Sequence, residues 1–194
     1  FHERQGQRII DPVACSILHP GLITLLDQLR ALAADILPTG ATIDASVNLL
    51  DQGPCVQLAM AKTGEATQGL DKSPDIMAAL GSWAAATGLA RLSILPSESR
   101  TTAIPLFCPA PPTLKFGAIS ISPPPGAFLQ ASTDGDACLQ SAVAEIVGDA
   151  KSAVDLFAGC GTLSLPLVGT LSALHAVEQD QDALASLKAG VDAA

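Results

Sequence analysis

The chain has 194 residues, of which 48% are apolar, 3% aromatic and 15% charged, and its formal net charge is −9. Such apolar content is ample for a core and carries no disorder signature, so one large domain or two small ones are expected. The charge excludes a self-sufficient nucleic-acid surface, because phosphate neutralisation needs clustered Lys and Arg, and the 10 basic residues here are scattered.

Aromatic platforms for base stacking are equally scarce, with no Tyr at all. No uncharged run spans a bilayer unbroken; Phe116 to Thr133 is interrupted by Pro123, Pro124 and Pro125, so no membrane partner is expected. The five cysteines, Cys15, Cys55, Cys108, Cys138 and Cys160, are odd in number and form no Cys-x-x-Cys pair. That pattern reads as reduced thiols in a cytoplasmic protein. Phe1-His2-Glu3-Arg4 is neither an initiator Met nor a signal peptide, and the chain reads as cut at both ends.

In chain order, Arg8-Ile9-Ile10 ends a short strand that Asp11-Pro12 breaks, and Cys15 to Pro20 is an irregular turn. Leu22, Leu25, Leu26, Leu29, Leu32 and Ala33 recur at helical spacing up to Pro38. Thr42 to Leu50 and Cys55 to Ala61 alternate as strands about the turn Asp51-Gln52-Gly53-Pro54, which predicts an antiparallel hairpin. Ser73-Pro74-Asp75 is a helix start with a cap, a first-turn proline and an acid against the dipole; that helix runs through Trp83 and stops near Gly88. Leu89 to Leu95, Ala103 to Phe107 and Leu114 to Ile121 follow as three short strands. Because these elements do not alternate as parallel βαβ units, residues 1–121 read as an antiparallel α+β domain. Ser122-Pro123-Pro124-Pro125-Gly126 marks the boundary, and residues 122–194 begin a second, α/β domain of Rossmann-like type with Thr133 capping a helix to about Val147.

The stretch that carries chemistry is Ala153-Val-Asp-Leu-Phe-Ala-Gly-Cys-Gly-Thr-Leu-Ser164, followed by an apolar run to Val177 and then Glu178. It predicts a strand ending at Asp155, a glycine turn, a helix start and a second buried strand. Glycines let the main chain approach a ligand, and a helix N-terminus offers free N–H groups. Gly159 and Glu178 stand close to the roughly 20-residue spacing at which an acid meets ribose hydroxyls in a nucleotide-binding βαβ unit. An adenosine-type ligand is therefore expected. The third glycine of a dinucleotide fingerprint is replaced by Ser164, and no Gly-Lys-Ser/Thr of a P-loop is present.

Asp-Leu-Phe-x-Gly-x-Gly resembles the first motif of class I S-adenosylmethionine-dependent methyltransferases. Preceded by Pro-Gly-Ala-Phe-x-Gln at 125–130 and a helix, it is similar to the RNA uracil-C5 methyltransferases. Arg-Ile-Ile-Asp-x-x-x-Cys-x-Ile-Leu at 8–18 resembles their ribosomal-RNA (23S) branch. The resemblance implies S-adenosylmethionine as cofactor, held by Gln130, Asp155, Phe157, Gly159, Gly161, Thr162 and Glu178, with Thr162 standing where the family often has Asn. It implies a ribosomal or transfer RNA partner, gripped mostly by parts outside this segment, and a monomer. It also makes Cys15 the last ligand of a [4Fe-4S] cluster whose other three cysteines lie upstream. On residues alone, one cysteine in a turn is a small buried side chain.

The chemistry implied is addition of a cysteine thiolate to uracil C6, methylation at C5 and removal of the C5 proton by a base. The family places that cysteine and base beyond Ala194, so no catalytic residue is assigned to this chain. Two further classes stand beside this one: a nicotinamide-dinucleotide oxidoreductase, which shares the βαβ unit, and a catalytically empty binding module.

Overall fold

The computed structural model of the chain describes residues 6, 15–60, 70–96, 99 and 102–194. The expected strand at Arg8–Ile10 and the break at Asp11–Pro12 lie outside the described residues.

The first unit is a four-stranded sheet with two helices on one face. Helix α1 (Pro20–Ile36) starts on a proline, and His19 Nδ1 accepts from the Gly21 N–H at 3.2 Å. It ends where Leu37, preceding Pro38, takes the extended conformation that a following proline imposes. Strands β1 (Ile43–Leu50) and β2 (Gly53–Met60) pair antiparallel, Leu50 opposite Gly53, so Asp51 and Gln52 alone make the turn. Helix α2 (Pro74–Ala86) begins on the Ser73 cap, as its sequence demands. It leads into β3 (Arg91–Leu95), and β4 (Ile104–Phe107) closes the order β1-β2-β3-β4.

The α+β reading holds for this unit with one correction: the sheet is mixed. β2 and β3 run parallel, Val56 opposite Leu92 and Leu58 opposite Ile94. An intervening helix carries the chain back to the starting end of the sheet, which a tight turn cannot do. Val56, Leu58, Leu92 and Ile94 all face the helices and meet Leu25, Leu32, Leu80 and Ala84 in one buried cluster.

The opposite face of this sheet carries Cys55, Gln57, Arg91 and Ser93, paired Cys55–Arg91 and Gln57–Ser93. The Pro-rich segment expected as the boundary is packed there. Arg91, 7% exposed, donates from Nη1 to the Pro123 carbonyl at 2.8 Å. Asn48 Nδ2 donates to the Ala127 carbonyl at 2.8 Å, and a Cβ on Gly126 would lie 2.6 Å from Gln57 Oε1. Pro112 and Pro123 are themselves fully buried.

The expected strand Leu114–Ile121 is a hairpin, β5 (Leu114–Phe116) and β6 (Ile119–Ile121), with Phe116 opposite Ile119. Gly117 takes φ +59 at the first of two turn positions, a backbone that glycine supplies without steric cost. The hairpin packs Phe116, Ile119 and Ile121 against Ala158, Cys160, Leu165, Ala183 and Leu187 in a second core.

Helix α3 (Thr133–Val147) is capped by Ser132, one residue before the expected Thr133, and its Oγ accepts from the Gly135 N–H at 3.1 Å. Strands β7 (Ser152–Leu156) and β8 (Ala173–Val177) are parallel neighbours with Asp155 opposite Ala176 and Leu156 opposite Val177. Their outer face is bare: Val154, Leu156 and Val177 are all exposed. Helix α4 (Gln181–Asp192) follows, capped by Asp180. Its Gly190 lets it close on β6, since a Cβ there would lie 2.6 Å from Ile121 Cγ2.

The helix expected between β7 and β8 is not formed. Residues 158–170 make a chain of tight turns: Gly161 N–H to Ala158, Leu165 to Gly161, Leu167 to Ser164, Val168 to Leu165 and Thr170 to Leu167. One short 3₁₀ turn (Leu165–Leu167) is the only helical piece there. Pro166 removes a donor from its middle, and Gly169 at φ +90 turns the chain out of it.

Arg91→Ala leaves the Pro123 carbonyl buried without its charged donor, a loss of about 2–3 kcal/mol. Urea unfolding of the variant against the parent measures it directly; an unchanged midpoint would contradict this role.

Candidate functional site

In an open α/β sheet, ligands collect outside the carboxyl ends of the strands. At that end of β7 and β8 lie Asp155, Phe157, Gly159, Gly161, Thr162 and Glu178. The main chain ties the two strand ends together, with the Ala158 N–H donating to the Val177 carbonyl at 3.1 Å.

Glu178, one residue beyond β8, is the junction. Its Oε2 accepts the Gly159 N–H at 2.7 Å, while Oε1 accepts the Gln179 and Asp180 N–H groups at 2.7 and 2.8 Å. Bonds to the ionised form favour it. The N–H groups of Asp180, Gly159 and Gln179 accordingly hold this carboxyl below its ordinary 4.5, against a smaller opposing effect of desolvation. Asp155 sits differently: its Oδ2 is buried and has no hydrogen-bond partner. A buried carboxylate oxygen left bare is costly unless a ligand donor reaches it.

Phe157 is the one non-glycine residue at positive φ (+63) among the described residues, and the residue is 87% exposed. Left-handed backbone costs an L-residue about 1–2 kcal/mol, and strain of this kind clusters at ligand sites.

The two loop glycines serve different ends. Gly159 (φ +56) has nothing within 4 Å of where a Cβ would stand, so it faces open space. Gly161 (φ +91) faces inward, where a Cβ would stand 2.6 Å from Leu165 Cγ and 3.1 Å from Leu187 Cδ1. Gly161 therefore makes room for the second core. Thr162 is half-buried beside it.

Cys160, also in this loop, is buried, and burial together with the Asp180 and Glu178 charges pushes its thiol up to about 11. A thiol held there is not a thiolate at neutral pH, which suits packing and not attack.

Gln130 is placed elsewhere. It lines a cavity of about 670 Å³ between the start of α1, strands β1 and β5 and the start of α3, with Ile17, Lys115 and Asp136 among its walls. No residue of the glycine turn contributes to that cavity. Burial raises the Asp136 carboxyl above its ordinary value.

Cys15 is half-buried, and no group of three or more His, Cys, Asp or Glu side chains among the described residues could hold a metal. A [4Fe-4S] cluster needs four thiolates, so the donors present here do not fit one.

Sequence reasoning did not find the part played by Asp180. Its Oδ1 caps α4 by accepting from the Asp182 and Ala183 N–H groups at 2.9 and 3.1 Å, which aims its own N–H at Glu178. The signal was present in Asp180 preceding a helical pattern, as an N-cap.

Comparison with known proteins first defines the class of fold. The crystal structure of a Pyrococcus abyssi tRNA (uracil-54, C5)-methyltransferase with S-adenosyl-L-homocysteine superimposes with a TM-score of 0.62 at 12% identity. It covers 96% of this chain and 47% of that one. The chain thus has the mixed α/β fold of that methyltransferase. No protein-family model matches.

Curated relatives narrow it further. The chain is 34% identical over 195 residues to an uncharacterized RNA methyltransferase of Mesorhizobium japonicum and 32% identical over 191 to one of Brucella suis. Each alignment takes in 98% of this chain and 42% of the relative, so the chain spans less than half the length of these relatives.

Gly159→Ala is expected to cost about 1–2 kcal/mol, the strain of its backbone alone. Gly161→Ala adds overpacking, which typically costs about 1–3 kcal/mol more. Parallel urea titrations of the two variants would show equal losses if Gly161 had no core role.

The stabilising effect of Glu178 is present above the ordinary carboxylate value and is lost as pH falls through its lowered folded value. An NMR titration of its carboxyl carbon is expected to give a midpoint below 4.5; a midpoint at or above that value would show the three N–H bonds to be absent in solution.

Proposed function

We propose that these residues form the S-adenosylmethionine-binding part of an RNA methyltransferase that modifies C5 of a uridine, with ribosomal RNA as the target. The observation that carries this reading is the convergence of two acids and an exposed, strained aromatic at the carboxyl ends of two adjacent parallel strands. The relatives' names support RNA methylation and the structural neighbour's name supports uracil C5, in a tRNA; the ribosomal target rests on the resemblance at residues 8–18 alone.

In this reading Glu178 accepts from the ribose, and Phe157 covers the adenosyl or methionine part from the solvent side. Asp155 offers its bare Oδ2 to a donor of the ligand, and Gly159 leaves space for the ligand's approach. Thr162 adds a hydroxyl beside the turn, and Gln130, which lines the other cavity, is given no contact with the ligand in this reading. The cofactor supplies an electrophilic methyl group; the residues here bind and orient it. Uracil C5 needs a thiolate at C6 to become nucleophilic, and the buried Cys160 thiol does not offer one. The transfer step is assigned to no residue of this chain, and no cluster enters the reading.

The dinucleotide alternative loses support on geometry. Where its third glycine would stand, Ser164 is 2% exposed, and no α-helix begins there to face a pyrophosphate.

Calorimetric titration of the protein with S-adenosylhomocysteine and, separately, with reduced nicotinamide dinucleotide decides between these. The first is expected to bind, with affinity falling about tenfold in Asp155→Asn, the worth of one hydrogen bond to a charged group. The second is expected to give no heat. Binding of the dinucleotide in preference would overturn the reading.

A further inference from the structure

The cavity of about 670 Å³ at the start of α3 takes no part in the reading above. Its size lies within the roughly 300–1,000 Å³ of small-ligand sites. Leu22, Leu114 and Phe116 give it apolar walls, while Asn48, Lys115 and Asp136 bring polar groups from β1, β5 and α3. Asp136 is the unsettled member. Its Oδ1 is buried without a hydrogen-bond partner, a state that costs free energy until a donor arrives. The terminal torsion of a carboxylate is broad and two-fold, so either oxygen can turn to that donor. Lys115 is exposed and has no ion-pair partner among the described residues.

These groups select a class of ligand. Asp134 also lines the cavity, so two acids oppose one lysine, which disfavours a phosphate. An acceptor pair facing an ammonium donor suits a base edge that carries N–H groups beside a carbonyl. Guanine sets N1–H and N2–H side by side, matching both oxygens of a carboxylate, with O6 next to them for a lysine. Uracil offers a single ring N–H, and adenine and cytosine offer only an amino group.

We infer that this cavity reads an unpaired guanine of the RNA, a base other than the one that is methylated. The inference rests on the proposed reading for the RNA. A methylated base must lie against the methyl group of the cofactor, whereas no residue of the glycine turn lines this cavity. The chain, at net charge −9, has no clustered cations with which to grip phosphates. Sequence-specific RNA recognition takes unstacked bases into pockets and reads their Watson–Crick edges, which needs few cations. Here Asp136 accepts from guanine N1–H and N2–H, Lys115 donates to O6, and the apolar walls take the ring face. Asn48 Nδ2, bonded to the Ala127 carbonyl, fixes the segment that leads into the cavity.

The experiment is an NMR titration of the protein with the 5′-monophosphates of guanosine, adenosine, cytidine and uridine, with inorganic phosphate, and with the trinucleotides UpGpU and UpApU. Calorimetry with S-adenosylhomocysteine runs beside it. GMP is expected to move the Asn48 and Gln140 side-chain amide signals and to bind about tenfold more tightly than the other three, the worth of one bidentate contact. UpGpU is expected to bind at least as tightly as GMP and about tenfold more tightly than UpApU. Asp136→Asn keeps the side-chain shape but replaces one acceptor by a donating amide, and the α3 cap, made by Ser132 Oγ, survives it. This variant is expected to lose the preference for guanine while its affinity for S-adenosylhomocysteine stays unchanged. Equal affinity for the four bases, the same shifts with inorganic phosphate, or a preference that survives Asp136→Asn overturns the pocket. Tighter binding of GMP than of UpGpU overturns the assignment to RNA and makes the ligand a free guanine nucleotide. A guanine preference as expected, with no binding of S-adenosylhomocysteine, overturns the proposed function and leaves the pocket standing.

Discussion

Three backbone N–H groups converge on the carboxylate of Glu178, and the geometry at the carboxyl ends of β7 and β8 depends on that convergence. A charged acceptor binding N–H donors is about twice as strong as a neutral one. Here the donors come from two places, the glycine turn after β7 and the first residues after β8. One side chain thus ties the turn after β7 to the end of β8, beyond the ladder pairing of Leu156 with Val177 and the backbone bond from Ala158 to Val177. The floor beneath is apolar: Ala158, Cys160, Leu165 and Leu187 fill the space under the turn. Gly161 is the residue that admits them.

A second constraint ties this unit to the mixed sheet. Burial of the Arg91 guanidinium would be costly if left unpaired, and the Pro123 carbonyl receives it. The Ser122 carbonyl accepts from Ser186 Oγ at 2.7 Å, and Ser122 Oγ donates to the Pro112 carbonyl at 2.8 Å. A proline run has no N–H groups to satisfy, only carbonyls. Such a segment can cross a sheet face provided donors are brought to it, and Arg91, Asn48 and Ser186 bring them. The hairpin β5–β6 contributes to the second core, beneath the turn.

The outer face of β7 and β8 contrasts with all this. Parallel strands are normally covered on both faces, yet Val154, Leu156 and Val177 are exposed. The relatives of this chain are more than twice its length by the coverage of their alignments. On the inner face Ala153, Asp155, Leu174 and Ala176 are half-buried.

Local physics made much of this legible in the residues. Ser73-Pro74 starts α2, Pro38 follows the end of α1, the β1–β2 hairpin turns at Asp51-Gln52, and the Asp155–Glu178 spacing places both acids at strand ends. Each depends on neighbours a few residues away, through caps, fixed proline φ and side-chain period. Three features did not show. The parallel pairing of β2 with β3 joins segments far apart in sequence, while the hairpin at Gly117 and the turns that replace a helix after Gly161 are local in their hydrogen bonds but have their apolar side chains buried by distant segments. Gly159 and Gly161 look alike in sequence, yet one faces open space and the other a leucine pair. The residue types and their order decided where strands end and where acids and glycines fall. Only the tertiary structure decided which donors reach each acid and which glycine is buried, because hydrogen-bond direction and packing are set by chain segments far apart in sequence.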